Sequence, residues 1–297
     1  MFPFFPIGTY SYALLALLSS DVQNSHLEQF NFNFENDFKF ETDKFYNHSS
    51  KFDFIFQSSA DKKIKYNLSY RNEMYTPEEH ELTYIQPGDM QYTGFSEISA
   101  GINLVDDTRF LSAQIGIGYT GKYTGGKEIM EFVHTKLPAK PEFNGWDTQE
   151  TFTLEARITL ANKHKFRINN YFDYIHDSGL TLSTLRSVVN TGGMFRAGLL
   201  SNDFGVYNSK TDNLNVVSNS SNIHAYVFGG YNLKYTFNDY TLRGLDMIHG
   251  QYDYKWGVGV KYNNWSLNLS EVIESKQFKT QSTDSFGYSN IMLTYLY

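Results

Sequence analysis

Three clusters of acids, amides and histidines in this chain could do chemistry. The first is Glu35-Asn36-Asp37, which ends a stretch alternating phenylalanine with polar residues and is followed by Thr42, Asp43, Tyr46, Asn47 and His48. The second runs from Met74-Tyr75-Thr76-Pro77-Glu78-Glu79-His80 to Gly88-Asp89-Met90-Gln91-Tyr92-Thr93-Gly94. The third holds the glycine-rich run 118–126, then Glu131 and His134, then Asn144-Gly145-Trp146-Asp147-Thr148-Gln149. No Gly-x-Ser-x-Gly elbow or other clear nucleophile accompanies them. An acyl ester can instead be attacked by water, with a neutral histidine taking the proton and a hard cation polarising the carbonyl. Calcium suits that role because carboxylate and amide oxygens are its natural ligands. Asn36, Asp37 and His134 suffice for such a mechanism, although spacing alone does not single it out.

Each residue also has a plainer explanation. Asn36 and Asp37 are good turn formers, and His48 and His80 read as solvated loop residues. The 118–126 run lacks Gly-Lys-Ser/Thr and precedes no evident helix, so it is no phosphate cradle. His134, close to Pro138 and Pro141, reads as part of a short ordered turn or helix inside a long loop.

The elements that must position these clusters are strands. Phe30, Phe32 and Phe34 share one face, as do Phe52, Phe54 and Phe56, and then Ile64, Tyr66, Leu68 and Tyr70. Further alternating runs cover 92–103, 108–119, 149–161, 165–175, 188–200, 223–237, 251–262, 265–276 and 286–297, which makes about twelve strands. Aromatics reach 17% (23 Tyr, 25 Phe, 3 Trp) while mean hydropathy is −0.44, a pairing that fits one lipid face and one polar face per strand. The expected fold is therefore an all-β, transmembrane antiparallel barrel in one domain over 28–297. A soluble β-sandwich would also alternate, but the aromatic content and the final Ile291–Tyr297 strand with its terminal aromatic favour the barrel. Residues 1–25, with the apolar run 12–18, read as an export signal, although no Lys or Arg precedes the run. Absent cysteine excludes disulfides and thiolate chemistry, and a net charge of −7 gives no footing for nucleic acid.

If the N-terminus is periplasmic, the connections 58–63, 105–109 and 161–165 lie inside and are short, while 38–48, 74–91 and 120–148 lie outside. All three chemical clusters then fall on one rim. The segment 201–222 breaks the rule: it is either a long inner connection or a slip in the strand count.

Taken together, the motifs resemble the lipid A deacylase family of outer-membrane 3′-O-deacylases. Glu35-Asn36-Asp37 with Thr42-Asp43 and Tyr46-Asn47-His48-Ser49 is similar to the family's first signature. Tyr75-Thr76-Pro77 with Asp89 and Tyr92-Thr93-Gly94 is similar to the second, and His134 with Gly145-Trp146 and Gln149 to the third. Glu274, Phe278 and the last strand also fit, so the resemblance spans residues 28–297. It implies a twelve-stranded barrel of the Gram-negative outer membrane that hydrolyses the 3′-linked acyloxyacyl ester of lipid A with calcium. By the same resemblance Asn36 and Asp37 match the catalytic pair, Asp37 binds the metal, His134 is the general base, and lipopolysaccharide is the partner of an expected monomer. Asn47 stands where the family carries a catalytic threonine, Leu82 lies near the place of a family lysine, and Met90-Gln91 replaces Arg-Pro.

Strand parity adds a constraint independent of the resemblance. Continuing the alternation of Phe30, Phe32 and Phe34 points Asn36 toward lipid and Asp37 inward. A lipid-facing amide is costly unless covered, and the third outer loop, with Phe132, Phe143 and Trp146, is apolar enough to cover it. Two rival readings remain at this point: an outer-membrane phospholipase using His48-Ser49, and an inactive barrel serving as a surface binder or pore.

Overall fold

Period-two alternation sends every second side chain to the opposite face, so a chain of such strands can bury a polar row inside and an apolar row outside only by closing on itself. The computed structural model describes residues 22–37, 44–136, 144–200, 202–204, 216 and 223–297, and for 132–136 the backbone alone. The expected export signal up to residue 21 lies outside the described residues, as do Thr42, Asp43, Pro138, Pro141 and Phe143.

Twelve strands form: β1 (His26–Asn36), β2 (Phe45–Gln57), β3 (Ile64–Thr76), β4 (Thr93–Val105), β5 (Arg109–Thr120), β6 (Leu154–Arg167), β7 (Phe172–Ser183), β8 (Arg186–Leu199), β9 (His224–Asp239), β10 (Gly250–Tyr262), β11 (Trp265–Ser275) and β12 (Ser285–Leu296). Each pairs antiparallel with its sequence neighbours, and β12 closes the barrel on β1 from Gln29↔Leu296 to Asn36↔Ser289. No described helix is long and apolar enough to cross a membrane, so crossing falls to the strands.

The short turn expected at 161–165 lies inside β6, and the chain reverses at 168–171 instead. Lys163 and Lys165 look like turn residues in sequence. In the barrel they point inward, where their ammonium groups meet the Phe204 carbonyl and the Asn202 side chain. The reversal is made by Asn169, whose Oδ1 accepts from the backbone of Tyr171 and Phe172. The strand count does not slip at 201–222: β8 and β9 are joined by a long connection at the end that carries the termini. Its described residues enter the lumen, Phe204 and Val216 packing with Ile55 and Phe110. Arg196 anchors it through bonds to Asp173 (2.9 and 2.7 Å) and an ion pair with Asp203.

Inside, charges are paired: Arg71 with Glu73 and Glu97, Arg157 with Glu97, and Lys234 with Asp253 and Glu274. Such pairing is what makes burying ions tolerable. At the far end, Phe45, Tyr46, Tyr75, Met90, Leu242, Val272, Phe278, Phe286 and Tyr288 form one buried cluster. Described residues thus pack into the lumen near both ends.

Candidate active site

The Glu35-Asn36-Asp37 cluster straddles the top of β1, and parity holds there. Asn31, Asn33, Glu35 and Asp37 are buried on the lumen side, whereas Phe30, Phe32, Phe34 and Asn36 face out. Asn47 and His48 lie in β2 rather than in the first outer connection, which covers only 37–44. Asn36 pairs directly with His48, and His48 with Met74. Met74 in turn pairs with Gly94. A row of outward-facing residues therefore crosses four strands near the far rim. It continues the other way through Ser289 on β12 to Glu271 on β11, whose carboxylate accepts from Ser289 at 3.0 Å. Sequence reading missed Ser289 and Glu271; the break in the apolar alternation of β11 at Glu271 was the available signal.

Asn47 is the extra residue of a bulge between Tyr46↔Tyr75 and His48↔Met74. Bulges re-aim a side chain next to functional sites. Two residues earlier Phe45 has φ 65°, a left-handed backbone costing a bulky residue roughly 1–3 kcal/mol. The backbone carbonyl of Asn47 accepts from Asn36 Nδ2 (2.9 Å) and from the Asp37 N–H (3.4 Å). Its side-chain Oδ1 accepts from the Thr76 hydroxyl at 2.7 Å. The bulge thus joins Asn36, Asp37, Asn47 and Thr76 into one construction. Asn47 is 1% exposed, and its Nδ2 has no hydrogen-bond partner among the described residues, an arrangement that typically costs about 1–3 kcal/mol.

His48 and Ser49 project from opposite faces of β2, His48 against the Phe34 ring (5.1 Å) and Ser49 into the lumen. Adjacent strand residues cannot form a catalytic pair, so the phospholipase reading loses its only candidate dyad.

Polar groups on the outer face need cover, and the third outer loop supplies it. Outward residues Asn72, Met74 and Thr76 of β3 are buried, although Leu68 and Tyr70 on the same face are exposed. Asn72 Nδ2 donates to Ser96 Oγ (2.7 Å) and to the Thr124 carbonyl (3.1 Å) of the loop. Met74, Tyr92, Met130 and Trp146 form a buried cluster between wall and loop, with the Tyr92 and Trp146 rings 4.9 Å apart. Burial in this cluster pushes the Tyr92 hydroxyl up to about 12, and it donates to the His80 carbonyl at 2.6 Å. The loop carries the helix α1 (Gly126–Lys136), whose start lies on the wall. A Cβ at Gly126 would stand 3.1 Å from the Trp146 ring and 3.6 Å from the Gly94 Cα, and one at Gly94 would collide with Thr124 Oγ1. These glycines allow helix and wall to touch.

From Gly94 the helix advances across the row. Gly126 sits over Gly94 on β4, and Met130, one turn on, joins the cluster of Met74 on β3. A turn of about 5.4 Å nearly matches the strand spacing of about 4.8 Å. Position 134 follows Met130 by another turn of the same helix. The His134 side chain lies outside the described residues.

Asp37 is buried at the rim, its Oδ2 accepting from the Lys44 N–H at 3.2 Å. A buried carboxylate suits a hard cation in kind. Among the described residues no group of three or more His, Cys, Asp or Glu that could hold a metal ion is found. Leu82 and Met90 do no polar work: Met90 packs in the buried cluster at the barrel mouth. Asp89 accepts from the backbone of Glu78, Glu79 and Met90 and pins the second outer loop.

Twelve closed strands with an apolar outer belt and a paired polar lumen define a transmembrane β-barrel of the outer-membrane type. The chain belongs to the outer membrane protein LpxR family, whose profile matches residues 9–296. It is similar in structure to LpxR from Salmonella typhimurium at 15% identity, with a TM-score of 0.77 over 91% of this chain and 100% of that one. It also matches the beta domain of the Bordetella autotransporter BrkA (10% identity, TM-score 0.46, 91% and 98% covered). The translocator domain of NalP from Neisseria meningitidis matches at 11% identity and TM-score 0.45, with 96% and 98% covered. No curated protein matches the sequence. The motif resemblance is thereby borne out at the level of the family, and the protein resides in the outer membrane.

Proposed function

We propose that the protein is an outer-membrane esterase that removes the 3′-linked acyloxyacyl group from lipid A. The observation that carries this reading is the polar construction of Asn36, Asn47 and Thr76 on the outward side of the wall, next to Asn72 and Met74, which the loop that bears α1 covers. A substrate whose acyl chains stay in the membrane reaches that place without leaving the bilayer.

In this reading His134 takes a proton from water as its oxygen attacks the ester carbonyl carbon, and returns it to the departing sugar alkoxide. Asn36 and Asn47 lie at the wall beside the ester. Calcium bound at Asp37 would polarise the carbonyl and offset the charge that develops on its oxygen. The cover excludes bulk water, so these interactions act at low dielectric.

Mass spectrometry of lipid A from cells with and without the protein tests the proposal. Loss of the 3′ acyl groups is expected with the wild type and is abolished by His134→Ala or by chelation, calcium restoring it after chelation. Unchanged lipid A, with fatty acids released from phospholipids instead, would sink the reading.

A further inference from the structure

We infer that Asn47 is the hydrogen-bond donor to the ester carbonyl oxygen as that oxygen gains charge, with Thr76 the positioning residue that sets its amide. The inference rests on the deacylase reading above.

Every other polar atom of Asn47 with a bond in this construction is committed to the protein. Its carbonyl is held by Asn36 and Asp37, and its Oδ1 by the Thr76 hydroxyl. Pinning Oδ1 fixes where the other end of the planar amide points. That end, Nδ2, is buried with no acceptor among the described residues, and the bond to outward-facing Thr76 puts the amide on the outer side of the wall. A buried N–H donor left open is costly in the resting protein. An acceptor that arrives with the substrate completes it.

An ester carbonyl is such an acceptor. When the water oxygen bonds to the carbonyl carbon, the π pair moves onto the carbonyl oxygen and the proton goes to His134. The hydrogen bond from the Asn47 amide N–H to that oxygen strengthens as charge builds there. When the carbonyl re-forms, the bond to the sugar oxygen breaks and that oxygen takes the proton back. A donor fixed beforehand by Thr76 needs no reorganisation during the step, which is the condition under which it accelerates the reaction. The departure from threonine at position 47 then keeps a donor rather than losing one.

The test uses membranes containing the full-length protein and purified lipid A as substrate. Asn47→Asp, which keeps shape and replaces the donor by an acceptor, is expected to lower kcat about 10²–10³-fold with KM little changed. Thr76→Val is expected to lower kcat about tenfold, Thr76→Ser to restore it, and the pH dependence assigned to His134 to stay in place. Asn47→Asp within about threefold of wild type, while His134→Ala is inactive, would overturn the donor role and leave the deacylase standing. A rise in KM with kcat unchanged would also overturn it. Activity retained by His134→Ala would instead remove the underlying reading. Should Asn47→Asp fail to give a heat-modifiable folded barrel, the Thr76 pair decides: equal kcat for Thr76→Val and wild type overturns the inference.

Discussion

The outer surface of this barrel is built in two ways, and β3 and β10 show the contrast. On β10 the outward residues Tyr252, Tyr254, Trp256, Val258, Val260 and Tyr262 are all exposed to the membrane, and none has a polar group beyond its aromatic tip. On β3 the outward face has exposed Leu68 and Tyr70 in its middle, then changes to Asn72, Met74 and Thr76, which are buried. Both strands alternate with the same period. What differs is the cover: β10 meets lipid directly, whereas the top of β3 lies under Trp146, Thr124 and the start of α1. Polar residues appear on a lipid-facing wall where a loop takes the place of lipid, because an amide in hydrocarbon has no partner. A cluster of that kind marks a place where the wall has a purpose besides spanning the membrane.

The contrast can be broken most strongly at Trp146, the largest fully buried side chain on the covered side. Trp146→Ala is expected to weaken docking of the third loop by about 3–5 kcal/mol. The loop should then become open to trypsin and lipid A hydrolysis should be lost, while the barrel keeps its heat-modifiable mobility on gels. Uncut loop with normal activity would show that the cover is dispensable.

The bare side can be broken by giving it a polar group without cover. Val258→Arg, in the middle of the β10 lipid face, is expected to destabilise the barrel by about 2–4 kcal/mol in denaturant unfolding from lipid vesicles. A neutral effect there would mean that lipid tolerates polar groups on this wall and that the cover over β3 explains nothing.

The smallest effect comes from the rim. Glu78 joins three outer connections, accepting from Lys44 of the first (3.3 Å) and from Ser282 of the last while sitting in the second. Partial burial raises its carboxyl pKa, but the bonds from Ser282 and Lys44 outweigh that and leave it below its usual 4.5. A depressed acid stabilises above its unfolded pKa and loses that contribution as pH falls through the folded value. Loop docking should therefore hold at neutral pH and loosen only below about pH 4, read as faster amide exchange at 78–82 and 276–284. Glu78→Gln should exchange at the acid rate at every pH.

Much of the fold was legible because alternation is a direct record of two unlike environments. The phenylalanines of β1 and β2 and the tyrosines of β10 announce their lipid face, and the parity argument put Asn36 outside and Asp37 inside, as found. Legibility failed where polar lumen residues imitate turns. Lys163 and Lys165 shifted the predicted turn, since sequence cannot distinguish a lysine facing solvent from one facing a filled lumen. Of the candidate site, Asn36, Asp37 and Asn47 were legible from motif and parity. Thr76 was visible only as part of a motif, and Ser289 and Glu271 not at all. Their role depends on which residues oppose one another across strands far apart in sequence.

By itself, then, the sequence determined the barrel, its approximate strand number and the two faces of the strands that alternate cleanly, because the two-residue period and the lipid and lumen environments are local properties of each segment. The tertiary structure alone decided that Asn47 sits in a bulge, that Thr76 holds its amide, and that α1 starts on the Gly94–Met74 row. Those facts depend on register between strands and on a loop folding back over the wall, and neither leaves a periodic trace in one chain.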